Sequence, residues 1–245
     1  MKINILLCDT FPGLLPPDIP SYEYLFENLF RKAGADPEFT VWRALDGALP
    51  QNPSDNGIYL ITGSLCASYG DAPWILSLGE WICNAARNRI PMVGICFGHQ
   101  LIAKALGGSV ARFDGGWGGG VREMEVLEPA MKEFFPDGKL HLLCDHFDQV
   151  ITLPEGAEPL AESPFCRYEG FRIGDHILTF QGHPEYTVGY ARHLLLNHSG
   201  HIAPEKRAAA LESIEKYDHQ GVEAARFICR FFENAPAGES DVKSR

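Results

Sequence analysis

Several features are scarce in this 245-residue chain. The seven cysteines are odd in number, widely spaced, and form no Cys-x-x-Cys pair. That excludes a disulfide framework and a zinc knuckle. It suits a reducing compartment in which most thiols act as small buried hydrophobes. Basic residues are also short: 21 Lys and Arg stand against 32 Asp and Glu, a formal charge of −11. Binding to nucleic acid or to an anionic membrane needs positive surface, so the balance argues against both. No uninterrupted apolar run reaches about 18 residues, and no transmembrane helix is predicted. Met1 to Cys8 holds one lysine and a short apolar run, too little for a signal peptide. The expected location is cytoplasmic. A phosphate loop, Gly-x-x-x-x-Gly-Lys-Ser/Thr, is missing as well.

What is present is an ordinary globular composition, 45% hydrophobic and 22% charged, which excludes disorder as the main state. Lys2–Cys8, Glu38–Arg43, Ile58–Thr62 and Pro91–Ile95 are short apolar runs with strand character. Between them, Tyr22, Leu25, Phe26, Leu29 and Phe30 recur at helical spacing after Ser21, a candidate N-cap, and Gly34 is a candidate C-cap. Trp74–Arg89 and Phe97–Leu106 read as further helices. This β-α-β-β-α-β-α order predicts an α/β fold with a mostly parallel sheet and helices on both faces. Ser109–Phe113, Val121–Leu127, Lys139–Cys144, Arg167–Ile173 and His176–Phe180 are strand candidates for a small antiparallel extension. Helices are expected over Val188–His198, Pro204–Tyr217 and Val222–Glu233. One domain over 1–233 is predicted, with a frayed polar tail over 234–245.

The chemistry concentrates in two stretches. In Gly94-Ile95-Cys96-Phe97-Gly98-His99-Gln100 an apolar strand runs through Gly-x-Cys-x-Gly into a helix. This is the cysteine counterpart of the nucleophile elbow. The tight turn needs small neighbours, and the helix N-terminus favours a thiolate and an oxyanion. A cysteine nucleophile also needs a base and a group that orients it. Gln181-Gly182-His183-Pro184-Glu185 follows another apolar strand and offers both.

These two motifs resemble those of class I glutamine amidotransferases, with a Cys-His-Glu triad. The first matches the family's nucleophile motif at every position and the second its His-Pro-Glu motif, 87 positions from Cys96 to His183. Thr62-Gly63-Ser64 looks like the family's oxyanion turn. His146-Phe147-Asp148-Gln149-Val150 looks like a segment of the GMP-synthase-like branch. The resemblance covers roughly residues 1 to 200 and implies a three-layer, flavodoxin-like sandwich. It also implies that Cys96 attacks a γ-carboxamide to form a γ-glutamyl thioester. His183 would pass protons and Glu185 orient it. The Phe97 N–H, with one from Gly63 or Ser64, would form the oxyanion hole. Gln100 and the turn near Trp117–Gly120 would help bind the glutamyl group. No metal, flavin, nicotinamide or pyridoxal phosphate is required.

Thr-Gly-Ser-Leu-Cys departs from the Gly-Gly-Pro of larger synthetases, and Cys66 is expected in the core. The run Gly115-Gly116-Trp117-Gly118-Gly119-Gly120 reads as a mobile loop beside the substrate. His193, His198 and His201 read as a solvated helix face, since their spacing does not suit a helical zinc pair. Residues beyond about 200 leave no room for an ATP-using domain. The favoured expectation is therefore a freestanding hydrolase of glutamine or a γ-glutamyl amide. Thr62-Gly63-Ser64 with Asp71 and Pro73-Trp74-Ile75, similar to γ-glutamyl peptidases, supports it. The alternatives are a glutaminase subunit feeding ammonia to a separate synthetase chain, and an idle regulatory module on the same fold.

Overall fold

The computed structural model describes residues 1–51, 53 and 57–233; the expected tail, 234–245, lies outside them. The elements run β1 (Lys2–Leu6), α1 (Tyr22–Lys32), β2 (Glu38–Trp42), β3 (Ile58–Ile61), α2 (Pro73–Arg87), β4 (Met92–Ile95) and α3 (Phe97–Ala105). They continue as β5 (Ser109–Arg112), β6 (Gly118–Val126), β7 (Lys139–His146), β8 (Asp148–Thr152), β9 (Ala157–Glu162), β10 (Gly170–Ile173) and β11 (Ile177–Phe180). Three helices follow: α4 (Val188–Asn197), α5 (Pro204–Lys216) and α6 (Gly221–Glu233).

One sheet runs in the order β2-β1-β3-β4-β11-β10-β9-β6-β7. From β2 to β11 the neighbours are parallel. From β11 to β7 they are antiparallel. The period-2 alternation of a strand builds the layers. Ile58 and Leu60 of β3 pack with Tyr22 and Phe26 of α1 and Phe227 of α6. Tyr59 and Ile61 point the other way, to Leu78 of α2 and Leu101 of α3. Both faces are thus covered by helices, as an α/β sandwich requires, and the expectation of fold class holds. Each such buried side chain contributes about 1.5–3 kcal/mol.

Helix α1 shows how local sequence sets an element. Tyr22, Leu25, Phe26, Leu29 and Phe30, the residues of its apolar stripe, are all buried, while Tyr24, off the stripe, is exposed. Ser21 takes the N-cap position with extended backbone, but its side chain makes no capping hydrogen bond. The helix ends in a Schellman turn: Gly34 adopts φ +87°, its N–H donates to the Arg31 carbonyl, and Ala35 N–H donates to the Phe30 carbonyl.

The antiparallel part is larger than the sequence suggested. β8 and β9 were not among the expected strands, and β5 pairs with β8 in a separate two-stranded sheet. The cause is exposure: β9, Ala-Glu-Pro-Leu-Ala-Glu, buries only Leu160 and Ala161, so it lacks the apolar run of a central strand. Among the described residues no helix is long and apolar enough to cross a membrane.

Candidate active site

Strand β4 is buried throughout and ends at Ile95; α3 begins at Phe97. Cys96 fills the single position between them at φ +50°, ψ −99°. A non-glycine residue with positive φ carries about 1–3 kcal/mol of strain. The elbow is held by the Cys96 N–H, which donates to the Phe180 carbonyl at 2.8 Å. The flanking glycines are sterically required. A Cβ on Gly94 would lie 2.7 Å from both the Gly98 carbonyl carbon and Ile102 Cδ1. One on Gly98 would run into the Ile61 carbonyl of β3. Phe97 is buried and packs on Trp74, ring centroids 5.5 Å apart. Its N–H opens α3, where the first-turn donors have no partner within the helix.

β11 lies beside β4 in parallel register, with Phe180 opposite Ile95. The segment after β11 therefore leaves from the same sheet edge as Cys96. His183 is anchored there by its N–H to the Leu143 carbonyl at 2.7 Å. Its Nδ1 lies 2.7 Å from Glu185 Oε1, which leaves Nε2 as the second functional nitrogen. Tyr186 stacks on the imidazole at 4.0 Å with 16° between planes. Burial disfavours the imidazolium. The Glu185 carboxylate and the charge on Cys96 outweigh burial and hold His183 well above the usual histidine range. Cys96, His183 and Glu185, spread over two loops in the sequence, are thus brought together.

The other expected residues surround them. A Cβ on Gly63 would lie 2.8 Å from Tyr22 Oη and 3.1 Å from His183 Cε1, so only glycine admits the imidazole this closely. Ser64 Oγ donates to Asp9 Oδ2 at 3.3 Å, and Leu65 N–H donates to the same oxygen at 3.0 Å. Asp9 Oδ1 accepts from Thr10 and Phe11 N–H. Asp9 thereby ties the turn after β1 to the turn after β3. Gln100 Nε2 donates to the Asp148 carbonyl at 2.8 Å and to Gln181 Oε1 at 3.0 Å.

Above these groups lies a cavity of about 500 Å³, bordered by Cys96, Gln100, Trp117, Asp145, His183 and Tyr190, among others. Four expectations change here. Cys66 is exposed at the cavity, not in the core, because the turn after β3 faces the opening. Of the other thiols, Cys83 and Cys229 are only half-buried, while Cys8, Cys144 and Cys166 are buried. Gly118–Gly120 form the start of β6, not a loop, and Trp117 is buried. Gly120 has φ +86°, and a Cβ there would meet Ala210 of α5, so glycine lets the helix close on the strand. His198 and His201 lie beyond α4 and border the cavity, and His198 Nε2 sits 3.3 Å from His193 Nε2.

Sequence reasoning did not find Tyr22 or Arg122. Tyr22 Oη donates to Glu185 Oε1 at 2.8 Å from a helix 163 positions away. Its only signal was a place on the apolar stripe of α1. Arg122 stands at the centre of a buried group in which Cys144, His146 and Glu169 offer atoms within 4.8 Å of one another. Its Nη1 lies 2.9 Å from His146 Nε2 and 3.2 Å from Glu169 Oε1. His146 Nδ1 faces the Asp148 carbonyl at 3.0 Å, so Nδ1 donates and Nε2 accepts from Arg122. Burial and Arg122 hold His146 well below its usual range, in the neutral form. A divalent cation there would compete with a fixed guanidinium charge, so the cluster reads as an ion-pair network and fits a metal poorly.

The family model for glutamine amidotransferase class-I matches residues 67–202. γ-Glutamyl peptidase 3 of Arabidopsis thaliana is 34% identical over 176 residues, 67% of this chain and 69% of that protein. The glutamine-hydrolysing GMP synthase of Aeropyrum pernix is 30% identical over 76% of this chain and 35% of its own length. A glutamine amidotransferase structure from Thermotoga maritima superposes with a TM-score of 0.72, covering 95% of this chain and 99% of that one, at 21% identity. That likeness concerns the fold; the family match rests on the sequence. The chain belongs to the class I glutamine amidotransferase family.

Proposed function

We propose that this protein hydrolyses γ-glutamyl amides through a covalent thioester on Cys96. The observation that carries the reading is the placement of His183 between Glu185 and Cys96 at the base of one cavity. The Cys96 thiolate adds to the γ-carbonyl, and the oxygen takes the negative charge. N–H groups of Phe97 and of Gly63 or Ser64 receive it. His183, as imidazolium, gives its proton to the leaving nitrogen, and the C–N bond breaks. Neutral His183 then takes a proton from water. The resulting hydroxide attacks the thioester, releasing glutamate and restoring thiolate and imidazolium. Glu185 holds the imidazole through Nδ1 throughout.

The cavity supports an amine larger than ammonia. About 500 Å³ falls within the range of sites that enclose a whole small ligand, and Leu194, Leu195 and Ile202 give its outer wall apolar character. Similarity to γ-glutamyl peptidase 3 over most of that protein's length supports the same choice. A second reading, a glutaminase supplying ammonia to a separate synthetase, draws on the similarity to GMP synthase.

The test is a panel of glutamine and γ-glutamyl peptides on purified protein, with amine release measured. Hydroxylamine should divert the intermediate to γ-glutamyl hydroxamate. The reading fails if no hydroxamate forms while substrate is turned over. Turnover of glutamine alone favours the second reading.

A further inference from the structure

His193 and His198 stand five positions apart in the sequence. On a continuous helix they would point about 140° apart round the axis. The helix does not continue. α4 ends at Asn197, and His198 has φ −125°, about 60° from the helical value. Its N–H still donates to the Leu194 carbonyl at 2.8 Å, so the residue is held at the helix end while its ring turns back. The two rings lie 5.1 Å apart, and Nε2 faces Nε2 at 3.3 Å. Both residues are half-buried, and His198 borders the cavity that holds Cys96.

The separation suits a metal ion. In a tetrahedral site with metal–nitrogen bonds of about 2.0–2.1 Å, two ligand nitrogens lie about 3.3 Å apart. The pair already has that spacing, and each ring need only tilt for the two lone pairs to meet off the Nε2–Nε2 line. The outer nitrogen of His193 is also provided for. Nδ1 lies 3.2 Å from Asn197 Nδ2. Without metal, Nδ1 accepts from Asn197, and the ring proton sits on Nε2, donated to His198. Metal binding at Nε2 moves that proton to Nδ1. Asn197 then turns its amide over, its oxygen accepts the proton, and its bond to the His193 carbonyl passes to water. Ligating histidines ordinarily have such a partner on the other nitrogen.

The surroundings favour a cation more than those of His146, whose ring is bound to Arg122. Arg192, next to His193, is paired with Glu215 of α5. Among the described residues no third His, Cys, Asp or Glu donor lies within 4.8 Å of both ligand nitrogens, so water completes the shell. Imidazole donors select late first-row divalent ions over magnesium and calcium.

We propose that His193 and His198 form a binding site for one divalent transition-metal ion, of the nickel or zinc class, on the rim of the Cys96 cavity. The site does not depend on the reaction at Cys96. Its test reads binding and not turnover, because a thiolate takes the same ions.

Full-length protein without a histidine tag is first capped with iodoacetamide, which removes Cys96 and the exposed Cys66 as competing donors. Isothermal titration with nickel, zinc and magnesium chlorides should show a first nickel or zinc ion per chain and no magnesium. His193→Asn and His198→Asn should each weaken that first site by at least about 10-fold. His141→Asn, which removes an imidazole lying 3.2 Å from Glu123, should leave it unchanged. In the wild-type protein, nickel should protect His193 and His198, and not His201, from diethyl pyrocarbonate, read by peptide mass spectrometry. That measurement decides the matter if a variant does not fold. Binding of both ions weaker than about 1 mM overturns the proposal. So does an affinity that survives either substitution, an equal loss in His141→Asn, or modification of His193 and His198 that nickel does not slow.

Discussion

Tyr22 and His183 hydrogen-bond the same carboxylate oxygen. Tyr22 Oη lies 2.8 Å and His183 Nδ1 2.7 Å from Glu185 Oε1, while Oε2 is buried with no hydrogen-bond partner among the described residues. The first helix of the chain therefore takes part in orienting the imidazole. Tyr22 is fully buried, and burial, with the Glu185 charge next, pushes its phenol well above the usual tyrosine range. It acts as a neutral donor.

Removing that donor should loosen the orientation of His183 without emptying the site. A hydrogen bond to a charged group contributes about 1.5–3 kcal/mol. Tyr22→Phe should lower kcat by about 10- to 100-fold while KM changes little. Steady-state kinetics on the best γ-glutamyl substrate checks this. A KM effect with kcat intact would place Tyr22 in substrate binding instead.

The elbow makes a prediction about stability. Cys96→Ala and Cys96→Gly should both lose turnover by at least about three orders of magnitude. They should differ in melting. Glycine relieves about 1–3 kcal/mol of strain at φ +50°, but costs about 0.4–1 kcal/mol through a freer unfolded chain. Relief wins, so Cys96→Gly should melt about 2–6 °C above Cys96→Ala. Calorimetry decides it, and an equal or lower melting temperature for the glycine variant would show that no strain is stored there.

The pH dependence of stability follows from His183. Its folded pKa is raised, because Glu185 and Cys96 outweigh the burial penalty. A group raised in the folded state adds stability that is full below its unfolded value, about 6.5. That stability is lost as pH rises through the folded pKa. Wild-type protein minus His183→Gln should therefore show a stability difference that is level below about pH 6 and declines above about pH 7. Denaturant unfolding across that interval measures it; a difference that grows with pH would mean that His183 is neutral in the folded protein.

Arg122 links Glu169 and His146 beneath the cavity, with side chains 12% and 0% exposed for the arginine and the glutamate. Removing one member of a buried pair costs about 3–5 kcal/mol, since the other charge is left uncompensated. Arg122→Met should lower stability by that amount, and Arg122→Met with Glu169→Gln should recover part of it. Double-mutant analysis of urea unfolding gives the coupling. Additive losses would show that the two side chains do not interact.

Several features are legible in the sequence alone. Strands β1 to β4 and the helices over them follow from apolar runs and helical spacing, which local backbone geometry dictates; β11 was legible as a strand, but not as the parallel neighbour of β4. The elbow was legible because Gly94-Ile95-Cys96-Phe97-Gly98 is one strand–turn–helix unit with a glycine on each side of the cysteine; that Gly98 is demanded by the Ile61 carbonyl of β3 was not. β8 and β9 were not, since a strand exposed on one side carries too few apolar residues. The same limit explains Cys66, whose exposure depends on where a turn meets the cavity.

The sequence by itself determined that Cys96 sits on a tight turn ahead of a helix, and that His183 and Glu185 share a short stiff segment. Those are local relations, set by glycine, proline and the order of neighbours. Only the tertiary structure decided that Tyr22 reaches Glu185 and that Arg122 occupies the Cys144–His146–Glu169 cluster. Each of these joins residues from separate strands or helices. Such contacts depend on sheet order and helix docking, which are fixed by burial summed over the whole core.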